Sequence, residues 1–420
     1  MSNAVPEGWK ILSIGSVLKQ EKRKFEMQDE ESYPLLSVRR RNGGFFHRET
    51  RKGKQILTKT LTKAIPDSFV ISKMQVVHGA CGLIEKPFYN GYLSASYVSF
   101  VAKDGQADLR YFNYLCQTSF MYELFLLSSH GVHIEKMTFD VADWLRKKLV
   151  LPPLPEQQKI AAILSSVDDV IEKTRAQVDK LKDLKTGMMQ ALLTKGIGHT
   201  AFKDSPVGRI PEGWEVCMAS EVADEVMVGV VIKPTQYYVG SGVPALRSAN
   251  VREGGLTMEN LKYFSKESNE LLKKSKLRKG DLLTVRTGYP GTTAVVTEDF
   301  EGCNCIDVVI TRPSERMNSD FFSLWVNSDN GKGQVLKAQG GLAQQHFNVG
   351  DMKNLLVAVP PLEEQKSIFN IVDSVTKKVS IAEVRLEQVR RVKKALMQDL
   401  LTGKVRVNVD NKENAVALSA

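Results

Sequence analysis

"LPPLPEQQKIAAILSSVDDVI" (Leu151–Ile171) and "VPPLEEQKSIFNIVDSVTKKV" (Val359–Val379) stand 208 positions apart in one chain of 420 residues. The likeness extends in both directions from these stretches. Upstream, Phe139 and Asp143 recur as Phe347 and Asp351 at the same offset. Downstream, Met189-Gln190 and Leu192-Leu193-Thr194 recur as Met397-Gln398 and Leu400-Leu401-Thr402. "PEGW" at Pro6–Trp9 returns at Pro211–Trp214, an offset of 205. One offset held over so long a run marks a tandem duplication, and a repeat of this kind must be recognised before elements are assigned.

The ungapped part of the repeat has helical periodicity. Ile160, Leu164, Val167, Ile171, Thr174, Val178, Leu181, Lys185, Met188 and Leu192 follow each other at spacings of four and three. So do Ile368, Val372, Val375, Val379, Ala382, Leu386, Val389, Lys393, Leu396 and Leu400. These are two heptad seams, each with a lysine at the same seam position. Pro153 and Pro361 suit the approach to a helix, and Gly196 and Gly403 suit its end. A helix of about 40 residues is roughly 60 Å long, too long for one small domain to cover. The seams therefore predict helices packed on each other, antiparallel if the duplicated chain folds about a pseudo-two-fold axis. The alternative is two amphipathic helices, each lying on its own domain.

The segments before each helix, with short β-like runs such as "SFVISKMQVV" and "DLLTVRTG" and a helical "RYFNYLCQTSFMYELFLLSS", predict mixed α/β globular domains. The expected organisation is a domain over 1–150, a helix over 151–196 and a linker over 197–208. A second domain over 209–358, a second helix over 359–404 and a loose tail over 405–420 complete it. The fold class is α+β: two mixed domains related by an internal repeat and separated by two long helices in an antiparallel coiled coil.

The formal charge is +10, and its placement is more informative than its size. Tyr33–His78 carries ten Lys/Arg against Glu49 and Asp67, a net +8, and Lys233–Pro290 carries a net +6. Two basic segments suit a polyanion touched in two places. The helices match closely while the domains keep only an outline, as in "YPLLSVRRRNGGFF" beside "VPALRSANVREGGL". Scaffold kept and basic loops rewritten is the pattern of two different readers on one frame. If the polyanion is DNA, Arg pairs with guanine and Asn with adenine in the major groove. The candidates are Arg39, Arg40, Arg41 and Asn42 in the first domain and Arg247, Asn250, Arg252 and Arg286 in the second. Lys52, Lys54 and Lys59 would contact phosphates without reading sequence. For any one of them a solvated surface charge is the simpler account. Trp9 and Trp214 read as core anchors, and His78 as a structural histidine.

Other chemistries lack their signatures. No GxxxxGK[ST] phosphate loop, (D/N)PP(Y/F) tetrapeptide or nucleophile–histidine–acid motif occurs. Five cysteines without CxxC pairs suggest neither disulfide framework nor metal site, so no cofactor is expected in this chain. No apolar run approaches the length of a membrane helix, and "MSNAVPEGW" lacks the regions of a signal peptide, so the expected location is the cytoplasm.

The doubled combination of "PEGW", a variable domain, "LPPLPEQQKIAAIL" or "VPPLEEQKSI", and a long helix ending "MMQALLTKG" or "LMQDLLTGKV" resembles the DNA-specificity subunits of type I restriction–modification systems, over nearly the full chain. The resemblance implies two target-recognition domains, each reading one half of a split site on double-stranded DNA. It implies long helices that separate them and dock two methyltransferase subunits, which bind S-adenosylmethionine and methylate adenine N6. It further implies a separate helicase-nuclease subunit that joins for restriction. No catalytic residue is carried over, and the variable domains inherit no base-reading residues. Two rival readings stand beside it: a self-sufficient DNA-modifying enzyme, and a coiled-coil scaffold without a DNA role.

Overall fold

The computed structural model describes residues 5–57, 60–338 and 346–409. The chain divides into two compact units, one of Met1–Thr174 with Arg385–Ala420 and the other of Arg175–Val384. Each unit therefore takes part of both repeats.

Each unit is built on the same plan. A strand after the "PEGW" turn pairs with the strand that leads into the long helix. In the first unit this is Lys10–Ser13 against Lys148–Leu151, with Lys10 opposite Leu151. In the second it is Glu215–Met218 against Leu356–Val359, with Glu215 opposite Val359. The turn itself is closed by Trp9 N to Pro6 O and by Trp214 N to Pro211 O, both 3.0 Å, and both indoles are buried. Two four-stranded sheets complete each domain. One is all antiparallel: Leu18–Glu21, Tyr97–Ala102, Phe69–Ser72 and Cys81–Leu83 in the first unit. Its counterpart is Ala223–Val228, Val308–Pro313, Leu282–Val285 and Thr293–Val295. The helical run of the first domain is broken in two, Leu109–Leu115 and Ser119–Leu127, because Thr118 turns its hydroxyl onto Met121 N and starts a new helix.

The long helices span Leu154–Lys195, 42 residues, and Leu362–Leu400, 39 residues. Gly196 (φ 61°) and Gly403 (φ 70°) follow in the left-handed conformation that ends a helix. Every seam position from Ile160 to Leu192 and from Ile368 to Leu400 is buried or half-buried. Within the first unit Ile160, Ala161 and Leu164 share a core with Leu400 and Leu401, and Lys393 meets Asp168 at 2.7 Å. Within the second unit Leu193 shares a core with Ile368, and Lys182 meets Glu383 at 2.6 Å. In each unit the start of one helix meets the end of the other, so the pairing is antiparallel.

The duplicated "PEQ" and "EEQ" tripeptides explain how each helix grips its domain. Gln157 is buried: its Nε2 donates to Pro152 O (2.9 Å) and Gln106 O (3.3 Å), and its Oε1 accepts from Asp108 N (2.9 Å). Gln365 repeats the pattern with Pro360 O (2.8 Å), Arg316 O (3.0 Å) and Asn318 N (2.8 Å). Asp108 and Asn318 are themselves N-caps of domain helices. The preceding glutamate receives the end of the other helix. Glu156 accepts from Arg406 Nε and Nη2 at 2.7 and 2.8 Å. Glu364 accepts from Ile197 N (2.9 Å) and Trp214 Nε1 (3.1 Å), and His199 Nε2 lies 2.9 Å away.

Two expectations change here. The stretch read as a linker, 197–208, enters a β-hairpin, Phe202–Ser205 against Gly208–Pro211, because Val207 and Ile210 are buried in the second core. The stretch read as a tail is tied to the first unit as far as Arg406, whose Nη1 also donates to Glu7 O (2.7 Å). Positions 410–420 lie outside the described residues.

Replacing Gln365 by Leu would leave one buried N–H and two carbonyls without their partner. At about 1–3 kcal/mol for each orphaned buried group, the variant should lose at least about 2 kcal/mol in urea unfolding. Glu363→Gln, on the exposed face of the same turn, should change stability by under about 0.5 kcal/mol.

Candidate nucleic-acid interface

The first basic segment forms a hairpin, Ser32–Val38 with Phe45–Lys52, whose connecting loop is residues 39–44. Arg39 N donates to Gly44 O at 2.9 Å and closes the loop. Arg41 and Asn42 both have positive φ (56° and 54°), a conformation costly for an arginine. A neighbouring turn holds them there: Arg41 N donates to His78 O (2.7 Å) and Asn42 N to Gly79 O (2.8 Å). Gly79 has a positive φ of 72°, and a Cβ there would lie 1.9 Å from the Tyr122 hydroxyl and force it to move.

The side chains of this loop divide sharply. Asn42 is spent inside the fold, its Nδ2 donating to Cys81 Sγ (3.4 Å) and its Oδ1 accepting from Tyr122 OH (2.6 Å). Asn42, a candidate adenine reader by residue type, is half-buried and makes one contact within the fold from each end of its amide. Arg39 lays its guanidinium over Phe46, 4.4 Å from the ring centroid, and stays exposed. Arg40 reaches Glu135 at 2.7 Å, and Arg41 is exposed. Lys52 and Lys54 share Glu30, at 3.5 and 3.0 Å. Arg48 and Arg51 flank Glu49, and the Arg51 hydrogen bond, with the charges of both arginines, holds its carboxyl below the usual range. Lys59 lies outside the described residues.

The second domain treats its candidates likewise. Asn250 is fully buried: its Nδ2 donates to Thr257 O (3.1 Å) and Glu259 O (2.8 Å), while its Oδ1 accepts from Arg247 N (3.0 Å). It holds a turn together and has no face left for a base. Arg247 is half-buried and donates Nη2 to Asn260 O at 2.8 Å. Arg286 pairs with Asp307 and donates to Phe347 O, with 18% of its side chain exposed. Arg252 is exposed, and its Nη1 donates to Val251 O at 3.0 Å.

Sequence reasoning passed over one residue here. Tyr289 is 85% exposed at the tip of the loop joining Leu282–Val285 to Thr293–Val295. Gly288 and Gly291 on either side have φ of 93° and 86°, and a Cβ on Gly291 would meet Val335 at 2.9 Å. Tyr289, Arg252, Ser248 and Thr287 line one cavity of about 620 Å³. The available signal was "GYPG", an aromatic held out between turn residues. This surface offers one cation, Arg252, an aromatic face and hydroxyls, groups of the kind that contact phosphates and base edges, beside the carboxylate of Glu253. Among the described residues no group of three or more His, Cys, Asp or Glu could hold a metal ion.

The model of the family described as "Type I restriction modification DNA specificity domain" matches this chain twice, over residues 6–182 and 211–391. The MjaVIII specificity subunit of a type I restriction enzyme from Methanocaldococcus jannaschii is 29% identical over 419 residues, covering 96% of this chain and 94% of that protein. The EcoBI specificity subunit of Escherichia coli is 26% identical over 266 residues, 57% of this chain and 55% of that one. Among solved structures, the S subunit of a type I restriction–modification system from M. genitalium aligns with a TM-score of 0.56 at 12% identity, covering 93% of this chain and 96% of that one. A chain solved in work on complex assembly and conformational transition of the type I R-M system aligns with a TM-score of 0.56 at 18% identity, covering 96% of this chain and all of that one.

Asn250→Ala should act on stability, costing at least about 2 kcal/mol through the buried groups it orphans. Arg252→Ala should stay within about 0.5 kcal/mol of the parent. Urea unfolding of the two variants side by side checks the division between the residue that builds the loop and the one it presents.

Proposed function

Because the chain belongs to the type I restriction–modification DNA specificity family and carries its domain twice, we propose that it is the non-catalytic recognition subunit of such a system, reading one half of a bipartite double-stranded DNA target with each domain. The doubled family match on a duplicated frame, with different side chains in the exposed loops, carries this reading. The scaffold recurs down to the hydrogen bonds of Gln157 and Gln365, while the presented groups change from Arg39, Arg40 and Arg41 to Arg252 and Tyr289. Lys52 and Lys54 contact phosphates in this reading; Arg247 and Arg286 support the second loop from beneath.

The paired helices are the docking frame for two methyltransferase subunits, which supply S-adenosylmethionine and the adenine N6 methylation, and through them for the helicase-nuclease subunit. No helix among the described residues is long and apolar enough to cross a membrane. The helices also act as a ruler, since each begins in one unit and ends in the other. A helix rises about 1.5 Å per residue and DNA about 3.4 Å per base pair. Four residues inserted before Gly196 add about 6 Å of helix, close to two base pairs if passed on in full.

Two results are expected from mapping methylated sites made by the chain assembled with its methyltransferase. Arg252→Ala with Tyr289→Ala should relax the second half-site, at about 1–3 kcal/mol for a lost base contact, and leave the first half unchanged. Equal changes in both halves would refute the division of labour. The four-residue insertion should keep both half-sites and widen the gap between them by one or two base pairs. An active variant with an unchanged gap would rule out the helices as ruler, and methyl transfer by the chain alone would rule out the non-catalytic role.

A further inference from the structure

Three surface carboxylates of the first domain each lie between two basic side chains. Glu30 lies between Lys52 and Lys54, at 3.5 and 3.0 Å. Glu49 lies between Arg48 and Arg51, at 3.0 and 2.7 Å. Glu135 lies between Arg40 and His78, at 2.7 and 3.2 Å. The cations follow one another from the loop at residues 39–44 along the edge strand Phe45–Lys52 and just past it. Arg48 is the extra residue where the register shifts between Leu35 and Leu36. Glu30 and Glu49 each serve two cations, and Glu135 serves one cation and one imidazole.

We propose that Glu30, Glu49 and Glu135 are built-in stand-ins for DNA phosphates, which hold the cations of this surface in the free protein and weaken its grip on DNA of arbitrary sequence. The proposal rests on the reading that this domain binds DNA. Its physical basis is competition. A phosphate that takes Arg40 or Lys54 must displace a carboxylate already there, and that carboxylate then lies close to the phosphate and repels it. The carboxylates keep 33% to 73% of their side chains exposed, so their pairs with the lysines and arginines are weak and exchange readily. The loop need not move, because its backbone is fixed on His78 O and Gly79 O. On arbitrary DNA the phosphate contacts are the whole of the binding, so the competition is felt in full. On a matched site base contacts add to them, and the complex tolerates it.

An ordinary function of charge on an edge strand is to keep that edge from pairing with another chain. The two roles separate by experiment. The triple variant Glu30→Gln, Glu49→Gln, Glu135→Gln, assembled with its methyltransferase, is titrated with target and with scrambled duplex at several salt concentrations. A control variant neutralises Glu85, Asp104 and Asp299, exposed carboxylates that bridge no cation pair among the described residues. The triple variant should bind scrambled duplex more tightly, with a log–log salt slope steeper by up to about 0.9 for each further phosphate neutralised. Its preference for target over scrambled duplex should fall by about tenfold, as expected when sequence-independent binding takes more weight, while the control changes much less. Slopes and preference equal to the control's would overturn the proposal, as would weaker binding to both duplexes, which would make the carboxylates supports for the cations. If scrambling the first half-site has no effect on the unmodified complex, the recognition reading itself fails, independently of the carboxylates.

Discussion

A buried primary amide at the root of each long helix fixes how helix and domain meet. Gln157 and Gln365 each use one side chain to join two separate pieces of backbone: the proline pair before the helix and the domain loop that runs into the N-cap of a domain helix. Buried polar groups are costly when unpaired, so this geometry admits little play. The two-stranded clasp and the buried indole sit beside it. The seams then have a fixed direction in which to run, and the domains a fixed base from which to present loops.

That fixed base shows in how the loops are made. Asn42 and Asn250 direct their amides into the fold, and glycines at 79 and 291, both at positive φ, permit close approaches that a Cβ would crowd. The exposed side chains, Arg40, Arg252 and Tyr289, project from backbone that is already settled. Such a surface can change what it presents without changing how it folds. This is the property a duplicated reader needs if its copies are to diverge in specificity while sharing a frame.

The parts of this architecture that repeat were legible from sequence. Periodicity located the long helices, because an apolar stripe of 3.5-residue period has few other uses. The repeat located Gln157 and Gln365 without explaining them, since their partners, Gln106 and Arg316, are distant in sequence and unlike each other. The site was legible only by charge. Asn42 and Asn250 have the residue type of base readers, yet composition cannot tell an amide that faces solvent from one that closes a turn. The hairpin at Phe202–Pro211 was hidden because "SPVG" has the texture of a linker, and only burial of Val207 and Ile210 gives it a role. Glu135 drew no attention because its partners, Arg40 and His78, are far from it in sequence.

The division of the chain into a continuous unit and a split one has a consequence for the order of folding. The unit Arg175–Val384 is complete once its last residue has left the ribosome. The other must keep part of its core open, because Leu400 and Leu401 belong with Ile160 and Leu164 and emerge last. Closing so wide a loop costs entropy that grows only slowly with length, and contacts of high sequence separation form late. Until they do, Ile160 and Leu164 have only their partners from the first domain and lack Leu400 and Leu401. The first domain to be synthesised is thus the second to be finished, and through the interval between, its core lacks the partners that come from the far end of the second helix.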